Sequence, residues 1–110
     1  MESCNGKLLV YASRFVSRGR KFEPVRDTVE RMARYLSLGF EVKTFKKKFE
    51  SVYVYYASGG EEPIPIYQCA DRMLGMDEIC TSLKNMMFVL SFHPKHFALR
   101  RLRKEIMLFS

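Results

Sequence analysis

The sequence predicts an α+β fold, an antiparallel sheet of about four strands with helices packed on one face. Three observations carry this expectation. Two neighbouring stretches, 40–47 and 51–57, alternate in the manner of half-buried strands; three others space their apolar residues as helices do; and Gly- and Pro-containing punctuation separates them without a linker long enough to divide the chain. All 110 residues are expected to form one domain, and a hydrophobic content of 47% suffices for one core.

Residues 7–16, KLLVYASRFV, are rich in β-branched and aromatic side chains and too short for a convincing helix, so they read as a strand. The basic loop SRGRKFEP follows. Pro24 suits the start of a helix, and Val25, Val29, Met32 and Leu36 share one face of a helix over 24–38, with Gly39 at its C-terminal cap. FEVKTFKK (40–47) sets Phe40, Val42 and Thr44 against Glu41, Lys43 and Phe45. SVYVYYA (51–57) likewise sets Val52, Val54 and Tyr56 against Tyr53, Tyr55 and Ala57. The short link between these strands predicts an antiparallel hairpin.

After the turn SGGEEP, IPIYQCA (64–70) is extended, and Pro65, which cannot donate a ladder hydrogen bond, assigns it to a sheet edge. From Asp77, a favourable N-cap, Ile79, Leu83, Met86 and Leu90 keep helical spacing, yet MMFVLSF (86–92) also suits a strand, and periodicity leaves both readings open. As a strand it would bring the order close to the split βαβ arrangement of ferredoxin-like folds, with one extra edge strand. Pro94 opens a last helix whose Leu99, Leu102, Ile106 and Phe109 form one stripe.

The net charge of +7 is segregated along the chain. Residues 1–48 hold 12 basic against 5 acidic side chains, 49–86 hold 2 against 6, and 87–110 hold 5 against 1. Nucleic acid is the commonest partner for such an excess, with an acidic protein surface or an anionic membrane as competitors. No apolar run reaches the roughly 20 residues of a membrane span, and no secretory leader is evident, so an intracellular protein, cytoplasmic or nuclear, is expected. The three cysteines, Cys4, Cys69 and Cys80, have no C-x-x-C spacing and suit a reducing compartment; Cys69 and Cys80 read as small apolar side chains.

Three basic clusters and one aromatic pair are the candidate nucleic-acid-binding residues. Arg14, Arg18, Arg20 and Lys21 follow the first strand; Lys43, Lys46, Lys47 and Lys48 occupy the expected hairpin loop; and Arg100, Arg101, Arg103 and Lys104 lie around the last helix. Each run alone is what a solvated face looks like. Together they exceed what solubility asks, and cations on loops contact phosphates and release counterions. Tyr53 and Tyr55 point away from Val52 and Val54, so on an open sheet face they would form a stacking platform for bases. High β-propensity and a liking for half-wet surfaces explain the same tyrosines without a ligand.

Aromatics on the central strands of such a sheet resemble the arrangement of RNA-recognition motifs. Of that family's longer signature, Lys48 to Tyr55 carries the basic first and aromatic last positions, while Phe49, Glu50, Ser51, Val52 and Tyr53 depart from it, so the likeness is one of architecture. The helix, three strands and helix of 24–90 are similar in order to double-stranded-RNA-binding domains, but the second helix opens GMDEICTS, acidic where those domains are basic.

Catalytic signals are poor. His93 and His96 stand three apart without a further ligand at motif spacing, so no metal or other cofactor is expected. No phosphate loop, nucleophile elbow or H-E-x-x-H is present, and Gly59-Gly60 is followed by Glu61-Glu62, which would repel a phosphate. The expectation is a small accessory protein, not an enzyme, that binds nucleic acid, RNA favoured over DNA; the length would suit a viral accessory or ribosome-associated protein. The alternative is a protein-interaction module or homodimer that uses the aromatic sheet face or the basic C-terminal helix. Unlike charges on two copies would favour such self-association, and an acidic protein is a further partner of this kind.

Overall fold

A strand buried along nearly its whole length belongs in the middle of a sheet, where a neighbour on each side shields its backbone. In the computed structural model, which describes residues 6–14, 22–47, 51–58, 62–69, 76–93 and 97–109, that strand is β1 (Lys7–Ser13). It lies between β2 (Gly39–Phe45), which runs parallel to it, and β3 (Val52–Ala57), which runs antiparallel. β4 (Ile64–Cys69) pairs antiparallel with β3, giving the order β2-β1-β3-β4. The sheet is therefore mixed and not purely antiparallel. Parallel neighbours need a crossover, and α1 (Phe22–Leu36) supplies it between β1 and β2.

The expected hairpin between 40–47 and 51–57 does not form, because β1 separates the two strands. Two strand spacings are about 10 Å, and the six-residue link 46–51 covers about 20 Å when extended, so a short link does not require neighbouring strands. The edge placement of the Pro65 segment holds. The β3–β4 register slips between Val54 and Tyr55, which adds Ile66 to the core at 4% exposure.

One core joins the sheet to all the helical elements with described side chains. Leu8, Val10, Ala12, Val52, Val54 and Tyr56 meet Val25, Val29, Met32 and Leu36 of α1, and Ile79, Leu83 and Met87 of α2 (Met76–Leu90). Cys80 is buried there too, as a small apolar side chain should be. The run 86–92 is helical through Leu90, because Met87 and Leu90 continue the phase of Ile79 and Leu83 while Met86 and Val89 turn outward. Asp77 and Glu78 fall in its first turn, where negative charge meets the positive end of the helix dipole. With 86–92 in a helix, the condition for a ferredoxin-like order is not met.

The last basic segment is two short helices, α3 (Phe97–Arg101) and α4 (Arg103–Leu108), separated at Leu102. Its expected stripe faces inward, with Leu99, Ile106 and Phe109 buried and Leu102 packed partly against the core. Lys84 helps to hold this end, donating from Nζ to the Phe109 carbonyl at 2.9 Å.

The end of α1 differs from the expectation at Gly39. Ser37, not Gly39, takes the left-handed conformation, at φ 59°. The Ser37 N–H bonds to the Arg34 carbonyl at 3.3 Å and the Leu38 N–H to the Ala33 carbonyl at 2.7 Å, a Schellman pair that puts Leu38 into the core. Gly39 instead begins β2 beside Lys7, whose Cβ would lie 2.9 Å from a Cβ at Gly39. The chain enters β1 through Gly6 at φ 95°, where an added Cβ would lie 2.5 Å from the Ala57 carbonyl oxygen and 2.8 Å from the Tyr56 hydroxyl.

These two backbone positions predict opposite effects in chemical denaturation. Gly6→Ala should lose about 2 kcal/mol or more, since alanine is strained at positive φ and its methyl meets fixed backbone, whereas Ser37→Gly should gain about 1 kcal/mol. The buried Tyr56 predicts a pH effect. Burial pushes its hydroxyl up to about 12 from an ordinary 10.0, against the opposing pull of a hydrogen bond with Ser58. The folded state then holds the proton through a range in which the unfolded state has released it, so stability is full below pH 10.0 and falls as pH rises toward about 12. Relative to Tyr56→Phe, the wild type should lose on the order of 2 to 3 kcal/mol across that window in urea titrations.

Candidate nucleic-acid interface

The pleat that sends Leu8, Val10 and Ala12 to the helices sends Lys7, Leu9, Tyr11 and Ser13 to the other face. Strand register then decides what stands beside them. Leu9 is level with Glu41 on β2 and Tyr55 on β3, and Tyr11 with Lys43 and Tyr53. Among the described residues no helix packs over this face. Three rings run across it: Tyr11 stands 4.9 Å from Tyr55, centroid to centroid, at 31°, and 5.6 Å from Phe45 edge-on at 75°. Tyr11, Tyr53 and Tyr55 are half-buried, Phe45 is 41% exposed, and Leu9, in the middle, is only 3% exposed.

The cations are unequally placed along the sheet. At the end where β1 and β2 start, Lys7 Nζ donates to Glu41 Oε1 at 2.9 Å, and this lysine holds the Glu41 carboxyl below its ordinary value. That pair is neutral as a unit. At the other end, Lys43 shares the row of Tyr11 and Tyr53, Lys46 and Lys47 are exposed just past Phe45, and Arg14 donates its backbone N–H to the Phe45 carbonyl at 2.9 Å. Gln68 Nε2 and Ser51 Oγ, 3.2 Å apart, add polar groups at the same end.

Of the residues selected from sequence, the structure thus brings together Arg14, Lys43, Lys46, Lys47, Tyr53 and Tyr55. Arg18, Arg20, Lys21 and Lys48 lie outside the described residues, as does His96. Arg100, Arg101, Arg103 and Lys104 belong to the helical layer, on the far side of the sheet from the aromatic row. Arg103 has a structural role there: Nε donates to Ser91 Oγ and Nη2 to the Ser91 carbonyl, each at 3.1 Å, and its guanidinium lies 3.7 Å from the centre of the Phe92 ring. It fastens α4 to the end of α2.

Sequence reasoning does not select Tyr11 and Phe45: alternation groups Phe45 with Glu41 and Lys43 without fixing which way that face points, and it assigns Tyr11 to no face. Selecting them needs the register that sets Tyr11 between Lys43 and Tyr53, a relation between strands distant in sequence. Among the described residues no group of three or more His, Cys, Asp or Glu is placed to hold a metal ion, and no helix is long and apolar enough to cross a membrane. Comparison with protein-family models, with curated proteins and with solved structures finds no match to the chain.

The bonds of Arg103 predict a stability effect without a binding effect at the sheet. Arg103→Ala should destabilise by about 2 kcal/mol in thermal or urea unfolding, and Arg103→Lys should recover less than half of it, because lysine cannot reproduce the forked contact and stacks less well.

Proposed function

We propose that the chain binds single-stranded nucleic acid across the sheet face over which no described helix packs, with unpaired RNA favoured over DNA. The observation that carries this reading is the row Phe45, Tyr11 and Tyr55 on one face of three adjacent strands, with Lys43 in register beside it and Lys46, Lys47 and Arg14 at its end. Bases stack on exposed ring faces with about 1 to 3 kcal/mol each and with little regard to sequence. Lysines at one end of such a row reach the phosphates of the same strand, adding affinity that salt removes. Single strands are favoured over duplexes because unpaired bases splay readily onto aromatic side chains, whereas duplex RNA hides them.

Fluorescence anisotropy with labelled single-stranded RNA, single-stranded DNA and duplex RNA tests this. With about four phosphate contacts, single-strand affinity should fall about 50-fold between about 50 and 200 mM salt. Reversing Lys43, Lys46 and Lys47 to Glu should flatten that dependence, whereas Phe45→Ala with Tyr55→Ala should weaken binding at least about tenfold and leave the salt slope nearly unchanged. Absence of binding to every probe at about 50 mM salt removes the proposal. Loss of a dimer on the aromatic substitutions, seen by light scattering, would assign the face to self-association instead.

A further inference from the structure

On the helical side, a surface independent of the sheet face combines apolar exposure with positive charge. Phe88 of α2 and Met107 and Leu108 of α4 line an open hollow of about 530 Å³, edged by Arg100, Arg101 and Lys104. Arg103 forms part of the same wall and is held in place by Ser91 and Phe92. Leu108 is 64% exposed and Met107 50%, well above what the buried stripe of the same helix shows. Beyond Leu108 a second hollow of about 290 Å³ lies against Arg31, Arg34, Tyr35 and Phe109. Leu108 is thus a ridge between two depressions, each bordered by arginines.

We propose that this surface docks an acidic amphipathic helix of a partner protein. Charge complementarity is the ground for the occupant. Among the described residues no ion pair engages Arg100, Arg101 or Lys104, whereas α1 has already matched its Asp27 and Glu30 with Arg26 and Arg34, so those carboxylates of a second copy are committed at home. A helix that inserts apolar side chains one turn apart on either side of Leu108 places its flanking carboxylates over Arg100 and Arg101, whose planar forks bind carboxylates in pairs. A flat anionic membrane fits less well, because Phe88 and the two arginine-bordered depressions are concave and a bilayer surface does not fill hollows.

The probe is a fluorescein-labelled helix of about 16 residues, roughly 24 Å long, with Leu at i, i+3, i+4 and i+7 positions and Glu on the flanks. Two control peptides replace either every Glu by Gln or every Leu by Ser. The full chain should bind the probe saturably with Kd at or below about 100 μM, and at least tenfold more weakly bind each control. Arg100→Glu with Arg101→Glu, and separately Met107→Ser with Leu108→Ser, should each cost at least about tenfold while leaving the melting temperature within a few degrees, since all four side chains are exposed. Phe45→Ala with Tyr55→Ala should leave peptide binding unchanged, which separates this surface from the sheet face. The proposal is overturned by absence of saturable binding, by equal binding of the Leu→Ser peptide, or by phosphatidylserine vesicles that bind through the same four residues when the probe peptide does not.

Discussion

Covering one face of the central strand is the constraint from which the other placements follow. Leu8, Val10 and Ala12 project from β1 toward the helices and are fully buried, and each large apolar side chain taken from water contributes about 1.5 to 3 kcal/mol. α1 covers them directly and, as the crossover, fixes β2 parallel beside β1. β3 and the bulged β4 widen the apolar floor, and α2 with α4 covers what α1 leaves. Because all this material lies on one side, the alternate residues of the same strands are left to face outward, and the aromatic row is the other half of the pattern that builds the core.

The features legible in the sequence are those set by local geometry. Alternation placed Val52, Val54 and Tyr56 inward and Tyr53 and Tyr55 outward, since side chains along a strand change face at every residue whatever lies next to it. Helical spacing located the buried stripes of α1 and of α3–α4 for the same reason. Neighbourhood in the sheet was not legible. Their short link makes the segments around Val42 and Val54 read as hairpin partners, and only the insertion of β1 between them, a long-range event, shows why the ring that meets Tyr55 is Tyr11 and not one from β2. A similar failure at Gly39 arose because Ser37 accepted a positive φ that propensity gives to glycine, the cost being met by burying Leu38.

The three basic clusters of the sequence divide further in the fold. Arg103 is spent on joining two helices, Lys7 is matched by Glu41, and Arg26 and Arg34 are matched within α1. Surface pairs of this kind contribute little stability, but they remove charge from the list of groups that a partner meets. Among the described cations in no ion pair, Lys43, Lys46 and Lys47 stand at the end of the sheet and Arg100, Arg101 and Lys104 at the border of one helical hollow. A sequence cannot make this division, since it depends on which cation finds a carboxylate or carbonyl across the fold.

The lysines of β2 admit a structural explanation that the fold itself limits. β2 is an edge strand, and a charged side chain on an edge discourages pairing with another chain. Lys43 lies within the strand and satisfies that purpose. Lys46 and Lys47 follow Phe45, beyond the last pair of the β1–β2 ladder, where there is no free strand edge to protect. Both are exposed, so burying their stems does not account for them either. Neither strand-edge protection nor stem burial therefore accounts for their charge at the end of the aromatic row, and it is on that ground that the proposed binding face includes them.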